Sequence, residues 1–457
     1  MSTIIALAVL GIITLFLGVM KKKSWLLPGI LVGLAVALGL TLTGWNTDIS
    51  FYHRMLVMDN YALAFNAVLI FSTFLIFLFA HHYYQPVERP LEDVYTVTLF
   101  ALLGAVLMDS YGNLIMLFLG VETLSIALYI LAGSHREAIS SNEATLKYFL
   151  LGSFISGFLL FGIALIYGAA HSFDLQDIAH FVSALNGEWP PIFLAGLFLI
   201  IIGLAFKIAI VPFHFWAPDV YEGTPTLLTA FMASVVKTAS IAALYRLFST
   251  CLHGAQGIWE SSLWILAALT ILLGNLTGLY QPSAKRMLAY SSIAQSGYMI
   301  LAVLAFSSRS ANLLLFYTLS YSIATITAFG IVLLVREVRG NDLFTAFNGL
   351  GKNNPVEAFC MTVAMLSLTG IPPLAGFVAK FYLFSTAIGA GYLWLVLIAI
   401  VGSAVSVGYY FKPVIAMYLR EGDGMKLKTP KSYKAFLLFA TIVTILLGVL
   451  PFMVLKQ

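Results

Sequence analysis

Three lysines and one glutamate stand where water is hardest to supply. Lys207 lies in GLAFKIAIVPFHFW, Lys237 in AFMASVVKTASIAALYR, Lys380 in SLTGIPPLAGFVAKFYLF and Glu122 in LFLGVETLSIALYILAG. A charge at mid-bilayer costs about 2.5–3.5 kcal/mol on insertion scales, so such residues read first as parts of an ion or proton pathway. The chemistry on offer is proton exchange. Loss of water penalises the charged form of a lysine, and a nearby carboxylate favours it. A lysine whose distance to Glu122 changes would therefore take up and release a proton. A permanent Glu122–Lys207 pair is the plainer alternative, but it leaves Lys237 and Lys380 without a reason.

Weaker candidates accompany these four. His214 follows Lys207 by seven residues, on the same face of an unbroken helix, where it could connect Lys207 to the cytoplasm. Lys147 stands four residues after Glu143, in what reads as the first turn of a helix, where it can snorkel to water. Hydroxyls and one amide fill YSSIAQSGY (Tyr290 to Tyr298) and FYTLSYSIATIT (Phe316 to Thr327). They can hold water chains, although helix bridging is the more common use.

These residues sit in a chain that is 61% hydrophobic and only 10% charged, against roughly 25% charged for soluble domains. Mean hydropathy is +0.96. Long apolar blocks, without the ten-residue alternation of a membrane barrel, give an all-α polytopic membrane protein. Hydropathy predicts about fourteen crossings, over residues 2–20, 24–44, 60–82, 93–109, 112–133, 144–169, 190–217, 224–248, 259–280, 284–307, 310–336, 356–387, 390–419 and 433–455. The positive cluster Lys21 to Lys23 follows the first apolar block, so that block does not read as a secretory signal. No transit segment is evident either, which favours a bacterial chain over an organellar one.

Loops of one parity collect Lys21 to Lys23, Arg89, Arg136, Lys285, Arg286, Arg336, Arg339, Lys352 and every basic residue between 420 and 434. The other parity holds Arg54, Arg309 and Lys456. By the positive-inside rule both termini face outward, the periplasmic side of a cell inner membrane. Arg246 and Lys412 are expected to snorkel from helix ends.

The seventh span contains Pro212 and Pro218, and the twelfth contains Gly370, Pro372, Pro373 and Gly376. Proline removes a backbone donor, and carbonyls freed in lipid must find partners in protein or trapped water. The breaks are five helices apart, and each span carries one buried lysine. Two inverted five-helix repeats follow, helices 4–8 (93–248) and 9–13 (259–419), with a final helix at 433–455 inside a single membrane domain, 1–457. This is the arrangement of transporters whose sites lie at broken helices.

Cys251 and Cys360 are isolated, and no histidine cluster, phosphate loop or dinucleotide fingerprint is present. The sequence offers no cofactor or metal site of its own. The net charge of +4 reflects loop residues and does not point to nucleic acid.

Three stretches, GLAFKIAIVPFHFWAPDVYEGTPT, KRMLAYSSIAQSGY and SLTGIPPLAGFVAKFYLF, together with the hydropathy profile, resemble the antiporter-like membrane subunits of respiratory complex I, the NADH–quinone oxidoreductases, and most closely the N type. The L type would carry a long lateral helix after the bundle, and the M type usually has a glutamate where Lys380 stands. The resemblance implies that Glu122, Lys207, Lys237 and Lys380 translocate protons, with Lys147 and His214 secondary. It implies one proton channel in an enzyme complex, a translocase whose NADH oxidation and quinone reduction occur in other subunits. FMN, iron–sulfur clusters and quinone would then belong to partner subunits, reached through other antiporter-like and small helical membrane subunits and a peripheral redox arm. A subunit of a multisubunit sodium/proton antiporter would share the same helices and lysines. A non-conducting membrane scaffold is the third reading.

Overall fold

In lipid a backbone amide must be satisfied within its own segment, so an apolar run of about twenty residues becomes a helix. The computed structural model describes residues 1–20, 23–83, 91–424 and 426–455. Lys21, Lys22, Arg89 and Lys456, used above to orient the chain, lie outside them. Helices α1 (Ser2–Val19) and α2 (Lys23–Thr43) come first, followed by strands β1 (Ile49–Phe51) and β2 (Leu56–Met58). Next are α3 (Asn60–Tyr83), α4 (Leu91–Asp109), α5 (Leu114–Ala132), α6 (Ile139–Ala170), α7 (Leu175–Ala184), α8 (Pro191–Lys207), α9 (Trp216–Gly223), α10 (Thr226–Phe231) and α11 (Lys237–Thr250). The chain continues as α12 (Gln256–Leu279), α13 (Ala284–Ala305), α14 (Ser310–Arg339), α15 (Leu350–Asn353), α16 (Pro355–Thr369), α17 (Ala375–Gly389), α18 (Leu393–Leu419) and α19 (Lys431–Val449).

Among the described residues, 12 helical stretches are long and apolar enough to cross a membrane. Fourteen were expected; the expected seventh and twelfth spans contain the shorter apolar helices α8 (17 residues) and α16 and α17 (15 each), which end or begin at the two interruptions. Among the described residues the fold is all-α apart from one small hairpin, which pairs Ile49 with Met58 in antiparallel register. That hairpin and α7 are departures from the sequence reading. Both lie in loops, and α7 is too short and polar to register as a span. Its first turn is capped by Asp174, which accepts from Gln176 N at 2.9 Å and Asp177 N at 3.3 Å.

Contacts divide the chain into two compact units. Unit 1 comprises residues 1–74, 88–216 and 235–265, and unit 2 comprises 75–87, 217–234 and 266–457. By contacts α9 and α10 thus belong with unit 2, whereas the sequence-expected repeat boundary falls after residue 248.

Unit 1 is organised around α4 against α5 and α6 against α8. Both contacts run through facing glycines, as expected where backbones approach without a hydrophobic drive between helices. A Cβ on Gly120 would sit 2.8 Å from Met108 N, and one on Gly196 would sit 2.9 Å from Gly162 O. These contacts fix the heights of α5, which carries Glu122, and α8, which carries Lys207. In unit 2, α14 is almost wholly buried and packs on α13, α16, α17 and α19. Ser283 caps α13 by accepting from Arg286 N at 3.2 Å.

Candidate functional site

The first interruption follows Lys207 directly. α8 ends on that residue, and the chain then turns through 208–215 before α9 begins. Lys207 is 4% exposed. Its Nζ donates to Ser125 Oγ at 2.6 Å and lies 5.9 Å from the centre of the Tyr129 ring. Ser125 in turn donates to Val121 O, one turn back along α5. Glu122, on the same turn, is half-buried, and its Oε1 accepts from Ser156 Oγ of α6 at 2.5 Å. Lys207 and Glu122 do not form a direct ion pair, but they are close enough to interact through Coulomb forces. The aromatic floor is continuous: Tyr129 meets Tyr148 edge-on at 4.9 Å, and Tyr148 stacks on Trp216 at 4.7 Å. Trp216 Nε1 donates to Phe206 O at 3.0 Å and ties the two sides of the break together.

Lys237 belongs to the same unit. It is 2% exposed and is the first residue of α11, directly after a π-helical turn at Met232–Val236. Such turns redirect side chains within a helix and recur at functional positions. Unit 1 therefore holds Glu122, Lys207 and Lys237.

Lys380 lies in unit 2 on the second interruption, six residues into α17. α16 ends at Gly370, whose φ of 92° is the left-handed value that glycine adopts without penalty. The Lys380 ammonium reaches back to this helix end, donating to Thr369 O at 2.8 Å and Leu368 O at 3.1 Å, and also to Ser403 Oγ at 3.1 Å. It sits 4.8 Å over the Tyr298 ring. A cavity of about 560 Å³ adjoins it, lined by Gly370, Lys380 and Ser403 and by the rings of Phe377, Phe381 and Phe384.

A polar network continues from Leu368 O. Gln295 Nε2 donates to that carbonyl at 3.1 Å and to Tyr410 Oη at 3.2 Å. Gln295 accepts from Tyr317, and Ser291 pairs with Tyr410. Asn275 joins Tyr298 at 3.0 Å and Tyr409 at 2.9 Å. The hydroxyl-rich stretches of α13 and α14 thus divide in two. Ser291, Gln295, Tyr298 and Tyr317 enter the network, whereas Ser320 and Thr327 bond back to their own helix at 3.1 Å and 2.8 Å.

Several expectations change. The relation of His214 to Lys207 depended on an unbroken helix, and the turn after Lys207 removes it; His214 Nδ1 accepts no hydrogen bond, and its ring lies beside Phe215 at 4.5 Å. Lys147 lies in the third turn of α6, not the first, because that helix begins at Ile139; it pairs with Glu143 at 2.7 Å, both partly exposed. Arg246 does not snorkel. It is 6% exposed and pairs with Asp59 at 2.6 Å. Lys285, expected in a loop, is fully buried and donates to Glu222 O at 2.9 Å and Thr224 O at 2.6 Å. Charge alone does not separate a hydrated loop from the first turn of a packed helix.

Ser125, Ser156, Ser403, Asn275 and Tyr410 escaped notice. Each is a polar residue within an apolar block, and such residues are too common in membrane helices to single out. Among the described residues, no three or more His, Cys, Asp or Glu side chains gather where they could hold a metal ion.

Residues 112–406 match the sequence profile of the family described as NADH:quinone oxidoreductase/Mrp antiporter, TM. NADH-quinone oxidoreductase subunit N of Flavobacterium psychrophilum is 41% identical, over 100% of both chains. Among solved structures, a chain of respiratory complex I from Thermus thermophilus is 34% identical, covers 98% of this chain and 97% of its own, and superposes with a TM-score of 0.84. A chain of the Mrp complex from Dietzia shares the fold, at TM-score 0.86 over 98% of this chain and 94% of that one, with 21% identity.

Proposed function

The chain belongs to the NADH:quinone oxidoreductase/Mrp antiporter family of membrane subunits and, within it, to the subunit N group; from this we propose that it conducts protons across the membrane for an NADH:quinone oxidoreductase. The observation that carries the reading is Lys207, buried at a helix end, bound to one hydroxyl and near, but not paired with, Glu122.

Lys207 takes up a proton when its ammonium is near an ionised Glu122 and gives it up when the carboxyl is protonated or moves away. Lys237 is a second buried lysine of the same unit and the next candidate to carry the proton. The turn at 208–215 frees the last helical residue to shift without disturbing the rest of α8. Lys380 and its network supply a second polar region in unit 2. Flavin, iron–sulfur and quinone chemistry belongs to partner subunits in this reading, and the chain works in a cell membrane with its termini on the outer side. The 34% identity to complex I against 21% to Mrp favours this assembly over a sodium/proton antiporter.

The test is proton uptake by the purified complex in vesicles during NADH oxidation. Lys207→Ala and Glu122→Ala are expected to lower the protons moved per NADH while the complex still assembles. Unchanged coupling in both would return the chain to the scaffold reading. Co-purification with flavin and iron–sulfur subunits, rather than with small membrane proteins alone, tests the assembly.

A further inference from the structure

The end of unit 1 formed by the hairpin, the N-terminus of α3, the C-terminus of α4 and the C-terminal part of α11 carries a second set of buried ionisable groups. Asp109 is the last residue of α4 and is fully buried, yet neither of its carboxyl oxygens accepts a hydrogen bond. Its electrostatic neighbour is Arg246. That guanidinium gives Nη2 to Asp59 at 2.6 Å and Nη1 to Tyr111 O at 3.4 Å, and it leaves its buried Nε without a partner. Tyr61, Tyr111 and Tyr245 complete the titratable surroundings, with Cys251 beside Tyr111. The phenols of Tyr61 and Tyr111 donate to Ala242 O and Ala243 O, each at 2.8 Å. β2 covers the cluster through Val57 N, which donates to Ser110 O at 2.7 Å.

Two carboxyl groups here share one permanent cation. Arginine keeps its charge at any working pH, so one ionised carboxylate balances it, and Asp59 already does so. A second ionised carboxylate with no hydrogen bond would be an unpaired buried charge, which is strongly disfavoured. Asp109 can lose its proton only if Arg246 turns toward it or water reaches it. Asp59 is a third exposed, so the same guanidinium spans from the buried acid to the surface.

We propose that Asp109 is a further proton-exchanging group of this chain, standing between the buried lysines of unit 1 and the aqueous face at Asp59, with Arg246 positioning it. The idea rests on the proton-conducting reading above. Lys237 and Arg246 lie on one helix nine residues apart, roughly 14 Å along its axis, a span that bound waters would bridge. In each cycle Asp109 accepts one proton from the interior. It releases that proton when Arg246 leaves Asp59 for the Asp109 carboxylate, and the return of Arg246 to Asp59 resets the site. By crossing parity and loop charge this face is the outward one.

The experiment uses the intact complex in vesicles, with proton transport per NADH oxidised as the readout. Asp109→Asn keeps the shape and breaks no hydrogen bond, so it should assemble; a several-fold loss of transport is expected, with recovery in Asp109→Glu. Asp59→Asn retains an oxygen to cap α3, where Asp59 Oδ1 accepts from Ala62 N at 2.7 Å. It removes the charge that holds Arg246 and leaves Asp109 to balance the guanidinium, so transport should fall with assembly intact. In the infrared, a carboxylic-acid carbonyl band that changes during turnover should be present in the unaltered complex and missing in Asp109→Asn, whereas a purely structural acid would give a band that turnover leaves unchanged. Normal transport in Asp109→Asn while Lys207→Ala abolishes it overturns this proposal alone. Normal transport in both variants overturns the proton-conducting reading with it. Should Asp109→Asn fail to assemble, Asp59→Asn decides, and unchanged transport there overturns the proposal.

Discussion

The two broken helices place their lysines on opposite sides of the break. Lys207 is the last residue before its interruption, and its ammonium meets one serine hydroxyl with an ionisable glutamate nearby. Lys380 comes after its interruption and reaches back to two carbonyls at the end of α16 and to Ser403. A helix C-terminus carries a fixed partial negative charge of about half an electron. Fixed dipoles therefore surround Lys380, whereas a group that can change its charge accompanies Lys207. Only the second arrangement lets a neighbour's protonation alter the lysine's hold on its own proton. On the proposed reading the unit 1 break serves exchange, whereas the unit 2 break holds its cation in a defined place beside a mostly apolar cavity.

That contrast can be broken by substitution. Arginine at 207 keeps its proton at all working pH, so Lys207→Arg should lower proton transport by roughly a hundredfold, the scale of a lost acid–base group. Lys380→Arg should retain a measurable part of it. Equal losses, read as vesicle acidification per NADH, would erase the distinction. Glu122→Gln comes next, with transport slowed about tenfold, equivalent to about 1.4 kcal/mol, and no loss of assembled complex.

The serines offer a finer comparison. Removing Ser125 takes away the hydroxyl that accepts from the buried Lys207 ammonium, worth about 1.5–3 kcal/mol. Ser125→Ala should cost more transport than Ser403→Ala, because Lys380 keeps Thr369 O and Leu368 O. A reversed order would argue that the carbonyls do not hold Lys380 in the working protein. The smallest effect on chemistry is expected at Gly120. A Cβ there meets Met108 N at 2.8 Å, so Gly120→Ala should lower stability in detergent by about 1–3 kcal/mol while leaving coupling per assembled complex intact.

Much of this was legible before any coordinates. The spans follow from uninterrupted apolar blocks, and the breaks from Pro212, Gly370, Pro372 and Pro373. Glu122, Lys207, Lys237 and Lys380 could be named because a charge inside an apolar run violates a strong rule. Asp109 broke the same rule less visibly. It ends a helix beside Ser110, Tyr111 and Gly112, and from sequence it reads as the first residue of a hydrated turn. Arg246 and Lys285 were misjudged for the same reason, since helix ends can be wet or packed and sequence does not distinguish the two. His214 was misplaced because its relation to Lys207 assumed a continuous helix.

Sequence alone determined that the chain crosses a membrane, where its helices break and which residues would be charged in lipid, because each follows from solvation free energy summed along a local segment. Tertiary structure decided which partner each charge meets. The hydroxyl from α5 at Lys207, the Ser403 hydroxyl from α18 at Lys380 and the guanidinium between Asp59 and Asp109 all arise from contacts between different helices well separated in sequence. Such contacts depend on how far two backbones approach and turn, and no local pattern of residue types encodes that.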